Sequence, residues 1–209
     1  MSATKNFLVS VFIYALILLS PELIASAKLE AATEIYLTTF SYILGAISLW
    51  LVNLKTTERP ELEQKKAATT FEIISWGVIG FFLVLLIQVG IRSLEISFFG
   101  EAQPSQNTEK IVKIANQFPI FLYAVALGGP IMEEFIFRFS LTNYVAKKTN
   151  SWFAGIVSSL LFAVAHLDGH YLLYFSMGFC FFLLYKKTGS IYTSIIAHGL
   201  MNWLAILAR

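Results

Sequence analysis

The chain has 209 residues, of which 57% are hydrophobic, 15% aromatic and only 13% charged, with a formal net charge of +2. A mean hydropathy of +0.70 lies outside the range of a water-soluble domain, and so small a net charge gives no basis for a nucleic-acid partner. The single cysteine, Cys180, excludes an internal disulfide.

A bilayer core takes about 20 apolar residues per helix, so the sequence predicts an all-α, polytopic transmembrane helix bundle with about seven spans. They run over residues 7–26, 35–54, 71–91, 116–146, 151–167, 170–186 and 189–208. The first span begins after Lys5 and ends at the small triplet Ala25, Ser26, Ala27, a pattern that resembles a cleavable signal sequence. Pro21 and Glu22 make the region before that triplet long and awkward, so a retained anchor is expected. Only two connections have any size: 55–70, read as a solvated loop, and 94–114 with Gly100, Pro104 and Gln106. Residues 1–115 read as an N-terminal transmembrane scaffold that also offers a docking surface for substrate, and 116–209 as the core that carries the chemistry. Gln88 is expected to make an interhelical hydrogen bond, and Trp50, Trp76, Trp152 and Trp203 to anchor or pack near the interfaces.

Alternating the spans from a cytoplasmic N-terminus collects Lys5, Lys55, Arg59, Lys65, Lys66, Lys147, Lys148, Lys186 and Lys187 on the inner side. The outer side receives Lys28, Arg92, Lys110, Lys113 and Arg209. Because cytoplasmic loops are enriched in Lys and Arg, this bias predicts N-in and C-out.

Ionisable side chains inside the later apolar segments need a reason, since a charge at mid-membrane costs from about 2.5 to more than 10 kcal/mol. In the fourth span Gly128, Gly129 and Pro130 are expected to interrupt the helix, which would leave Glu133 and Glu134 near a restarted N-terminal end. Glu134 and Arg138 are four residues apart and share a face, so Arg138 can neutralise Glu134. Glu133 points about 100° around the axis, with only Phe137 at the matching position, and is the better candidate for an available carboxylate. The next span carries Phe162 and His166 four apart, and the last His198 and Asn202 in the same relation. An imidazole exchanges protons near neutral pH and an amide N–H suits an oxyanion. Together these parts suffice to activate water and hold a tetrahedral intermediate. Asp168, Gly169 and His170 read as turn residues near the outer interface.

The triple EExxxR, FxxxH and HxxxN, here Glu133, Glu134 and Arg138, then Phe162 and His166, then His198 and Asn202, resembles the CPBP (Abi) intramembrane proteases, which include the type II CAAX prenyl endopeptidases. The resemblance covers the last segment of the chain, including the approach to the final helix at 187–202. It implies peptide hydrolysis in the membrane, with Glu133 and His166 handling the water, His198 and Asn202 holding the oxyanion, and Glu134, Arg138 and Phe162 organising the site. It further implies a membrane-embedded or lipid-associated peptide or protein substrate and no cofactor, and the short loops and compact size fit a bacterial cell membrane. One departure stands out: the family commonly has Gly directly after the Arg, where this chain has Phe139, expected to push the neighbouring helix outward or to face lipid.

Two other readings stay open. Two His and a Glu from three helices also form a zinc inventory, although HExxH spacing is absent. The family's link to bacteriocin self-protection makes a non-enzymatic membrane immunity or binding protein the alternative to a protease. A transporter is less consistent, because the polar groups lie in one half of the chain without a matching repeat.

Overall fold

The computed structural model describes residues 1–63, 68–100 and 105–207. Lys65, Lys66, Pro104 and Arg209 therefore lie outside the described residues. Among the described residues the structure is helical, without strands. Helices α1 (Ala3–Ser26), α2 (Ala31–Leu54) and α3 (Thr70–Phe99) are each long and apolar enough to cross a bilayer. Helix α4 (Gln106–Gln117) follows, capped by Ser105, whose hydroxyl accepts from the Thr108 amide. A composite helix α5 then runs over 121–146, as α-helical Phe121–Tyr123, π-helical Ala124–Gly128, α-helical Gly129–Glu133, π-helical Glu134–Leu141 and α-helical Thr142–Ala146. Helices α6 (Ser151–Ala165), α7 (Tyr171–Thr188) and α8 (Ile191–Leu207) complete the bundle.

These bounds correct two expectations. The 94–114 connection is largely helical, because α3 continues to Phe99 and α4 begins at Gln106. Helix α4 alternates Glu109, Lys110 and Lys113 with Val112 and Ala115, which are buried, so its mean hydropathy hides an amphipathic helix. The fourth span is also not interrupted at Gly128–Pro130. Backbone angles there stay in the right-handed helical region, so Glu133 and Glu134 do not sit at a free helix N-terminus. A π-helical turn closed by the Gly129 amide on Ala124 O directly precedes Pro130, which has no N–H to donate.

Helix α5 is the axis of the molecule. It packs against α1 and α2 on one side and α6 and α8 on the other, while α3 lies outside α7 and α8. The outer surfaces of α1–α3 present Leu8, Phe12, Leu23, Phe40, Phe82, Leu86 and Val89. Polar side chains turn inward instead: Asn6, Ser10, Ser140, Ser158, Ser159, Thr193 and Ser194 are all buried. That arrangement suits a surrounding lipid phase, where a polar group must find its partner inside the protein. Gln88 of α3 reaches α7, donating from Nε2 to Met177 Sδ at 3.7 Å.

One end of the bundle is tied together and basic. The Met1 ammonium donates to Lys55 O (2.9 Å) and Thr57 Oγ1 (3.1 Å), Asn143 Nδ2 donates to Glu58 O (2.9 Å), and Lys147 pairs with Glu58. Lys186 lies over the Trp152 ring at 4.1 Å and Lys187 over Trp76 at 5.1 Å. Lys5 starts α1 at the same end. Lys5, Lys55, Lys147, Lys186 and Lys187 thus lie toward the same end of the bundle. Phe139 does not face lipid. It is fully buried in a cluster with Leu49, Leu62, Met132, Phe182 and Tyr185, with the Arg59 guanidinium 5.8 Å from its ring.

Candidate active site

Glu134 and Arg138 stand on the π-helical stretch of α5 with their side chains wholly excluded from solvent, and Arg138 Nη1 lies 3.4 Å from Glu134 Oε1. The guanidinium sits among three rings, 4.2 Å from Phe162, 5.4 Å from Phe181 and 5.8 Å from Phe137. Among the described residues none of its nitrogens has a hydrogen-bond partner, so the charge is held by the ion pair and the aromatic faces. Gly178 makes room for it: a Cβ there would stand 2.9 Å from Arg138 Nη2 and 3.0 Å from Phe162.

His198 enters from α8 and meets both glutamates. Its Nδ1 donates to Glu134 Oε1 at 2.9 Å, since a carboxylate paired with a guanidinium can only accept. This leaves Nε2 facing Glu133, whose Oε2 is 3.7 Å away. The imidazole is stacked on Phe181 at 4.6 Å and edge-on to Phe162 at 5.9 Å, which fixes its plane. The two neighbouring carboxylates therefore differ sharply. Glu134 is sealed, whereas the Glu133 side chain is 24% exposed.

His166 is the residue that ends α6. Its Nδ1 donates to Phe162 O at 2.8 Å, because a carbonyl has no proton to give, so Nε2 of the neutral ring carries a free lone pair. The ring lies between Tyr174 (3.8 Å, stacked) and Phe162 (4.5 Å, edge-on). Phe162, fully buried, thus touches Arg138, His166 and His198 together.

The π-helical turns are pinned by the same helices that carry the histidines. Asn202 of α8 donates from Nδ2 to Val125 O at 3.0 Å, and Ser158 of α6 donates to Phe137 O at 2.7 Å, where Thr142 also donates at 2.9 Å. A π-helical turn leaves carbonyls without their usual i+4 partner, and side chains from neighbouring helices satisfy them here. Asn202 keeps its second amide proton.

The site residues expected from the sequence lie on α5, α6 and α8, and among the described residues His166 makes no hydrogen bond or ion pair with either glutamate. Among the described residues no group of three or more His, Cys, Asp or Glu converges as a metal-ligand set. Four residues were not anticipated. Tyr14 of α1 meets Phe137 edge-on at 6.1 Å, and Tyr42 of α2 packs its Cβ where a Gly128 side chain would be. The available signal was a phenol inside an apolar span, which must find polar company. The others are Tyr174 and Asp168. Asp168 Oδ2 accepts from Tyr174 and Ser105, each at 2.8 Å, and Oδ1 from the His170 amide at 3.3 Å. Burial alone would raise the Asp168 pKa, but the hydrogen bonds from Tyr174, Ser105 and the amide outweigh it and hold the carboxyl below its ordinary value.

Comparison with known proteins points to one family. The family model described as type II CAAX prenyl endopeptidase Rce1-like matches residues 115–204, the stretch that holds every motif residue. A Bacillus subtilis (strain 168) protein named as a candidate membrane peptidase, YdiL, is 34% identical over 173 residues, covering 82% of this chain and 70% of the relative. The membrane-embedded CAAX protease MroQ of Staphylococcus aureus (strain USA300) is 35% identical over 180 residues, covering 83% and 73%. No solved structure gives a significant match.

Proposed function

The chain belongs to the Rce1-like family of type II CAAX prenyl endopeptidases, and from that premise we propose that it is an intramembrane endopeptidase acting on membrane-associated peptides or proteins through a water activated by Glu133. The observation that carries this reading is the contrast between adjacent carboxylates: Glu134 is sealed and paired, while Glu133 is partly open and faces His198 Nε2 across 3.7 Å. That gap is too long for a direct hydrogen bond, and a water oxygen about 2.8 Å from each atom fits beside the line joining them.

In the proposed reaction the water oxygen bonds to the scissile carbonyl carbon as Glu133 takes its proton, assisted by His166, whose Nε2 is the free nitrogen. The carbonyl electron pair moves onto oxygen. There the imidazolium form of His198, donating to Glu134 through Nδ1, offers Nε2–H, and Asn202 offers its second amide proton. Collapse breaks the C–N bond, and the proton held by Glu133 passes to the leaving nitrogen, giving a carboxylic acid and an amine; the acid's remaining proton then passes to the amine, leaving a carboxylate and an ammonium. Glu134 and Arg138 organise the site through His198, and Phe162 holds the three charged or basic groups in register. Residues 116–209 act as the protease core and 1–115 as scaffold and docking surface. The basic end faces the cytoplasm of a bacterial cell.

The test compares protein termini in host membranes containing the wild-type protein or Glu133→Gln at matched levels. New termini confined to the wild type are expected, because removing a positioned base costs about 10²–10⁴ in rate. The same termini with Glu133→Gln would overturn the reading. If membranes show no new termini and a protection phenotype survives both Glu133→Gln and His166→Ala, a binding role replaces proteolysis.

A further inference from the structure

His166 stands at the very end of its own helix, α6. The next residue, Leu167, has φ +52°, followed by Gly169 at φ +85°. A non-glycine residue in the left-handed region costs about 1–2 kcal/mol, so neighbouring contacts must fix this turn. Asp168 supplies them: it ties the turn to the cap of α4 through Ser105, to the first turn of α7 through Tyr174, and to the His170 amide. Tyr174 in turn covers the His166 ring, with centroids 3.8 Å apart and planes inclined by 24°. A phenol free at its hydroxyl could swing about its side-chain bonds, and here the hydroxyl is anchored.

We propose that Tyr174 and Asp168 are positioning residues for His166: the Asp168 carboxylate anchors the Tyr174 ring, and that ring presses the imidazole against Phe162 so that Nε2 is presented to the substrate. The hydrogen bond from His166 Nδ1 to Phe162 O sets which nitrogen is free, and the stack sets where it points. Ser105 makes the cap of α4 part of the same clamp. The catalytic consequence rests on the role given to His166 above, whereas the clamp itself does not.

The chain has three histidines, so protein labelled with ¹³C,¹⁵N-histidine in lipid nanodiscs gives three ring systems to follow by NMR. In the wild type, the His198 and His166 rings should both carry Nδ1–H and both be displaced upfield beneath an aromatic face, His198 by Phe181 and His166 by Tyr174. Tyr174→Leu should abolish the His166 displacement, and Asp168→Ala and Tyr174→Phe should broaden the His166 signals, each leaving the His198 signals in place. Asp168→Asn, which keeps one accepting oxygen, should restore much of the wild-type spectrum. On a cleavable peptide carrying the bond found by terminal comparison, Tyr174→Phe should lower kcat about tenfold and change KM less than about twofold. His166 signals unchanged in Tyr174→Leu and Asp168→Ala would overturn the clamp, whatever Glu133→Gln does to cleavage. If Asp168→Ala also loses the His198 signals, the fold has failed and Tyr174→Phe, which removes one hydroxyl, decides: sharp His166 signals there overturn the proposal. Intact NMR effects without any change in kcat would overturn the catalytic consequence alone.

Discussion

Two regions of this molecule join a glutamate to basic side chains, and the same residue types behave differently in each. At the basic end Glu58 meets Lys147 and the Ala3 amide in the open. Inside the bundle Glu134 meets Arg138 and His198 with its side chain fully excluded from solvent. An exposed pair gains little over its hydrated partners. A buried pair has given up that hydration, so removing one member leaves an uncompensated charge. The interior cluster is therefore the one on which folding depends, while Glu133, one residue away, stays partly exposed.

The largest effect expected from this contrast is on Arg138. Arg138→Leu should destabilise the protein by about 3–5 kcal/mol, because Glu134 loses the cation that balances it. Thermal unfolding in detergent, with membrane abundance, measures this. The double change Glu134→Gln with Arg138→Leu should recover part of the loss, and strict additivity of the two single effects would show that the pair is not a coupled unit. Glu133→Gln, in contrast, should leave unfolding close to wild type.

A middle-sized effect is expected where the guanidinium meets α7. Gly178→Ala places a methyl group 2.9 Å from Arg138 Nη2 and 3.0 Å from Phe162, and forcing an extra carbon into a packed core costs about 1–3 kcal/mol. Since Phe162 also touches both histidines, cleavage should fall by more than stability alone accounts for. A variant with unchanged unfolding and unchanged cleavage would mean that the cage around Arg138 is looser than its distances imply.

The residues that could be read from the sequence are those whose partners lie one turn away. Glu134 with Arg138 is an i,i+4 relation, and it identified the sealed carboxylate before any packing was known. Hydropathy likewise located the long spans, because lipid selects composition over a whole helix. What stayed hidden depends on distant partners. The π-helical turns of α5 exist where Asn202 and Ser158, 77 and 21 residues away, satisfy the freed carbonyls, and nothing within 124–141 announces them. Asp168 read as a turn residue because Ser105, its partner, is 63 residues distant. Helix α4 was missed because an amphipathic helix has low mean hydropathy. Phe139 was misjudged because a glycine at that site implied close helix contact, whereas here the ring fills the core itself.

The smallest effect sharpens the comparison from its exposed side. The Glu58 carboxyl is held below the usual range, first by the Lys147 ammonium that donates to it and then by the Ala3 amide. A carboxyl whose pKa is lowered on folding stabilises the protein above its unfolded value of about 4.3, and that contribution is lost as pH falls through the lowered folded value. Wild type should therefore exceed Glu58→Gln in thermal stability by a small margin at neutral pH, and the margin should close on acidification below about pH 4. Because the pair is exposed, raising the salt to about 0.5 M should close it as well. The loss caused by Arg138→Leu should persist in the same salt, since a charge deep in the bundle is screened little. Equal salt sensitivity of the two variants would mean that the interior cluster is wetted, and with it the difference between Glu133 and Glu134 on which the catalytic assignment stands would disappear.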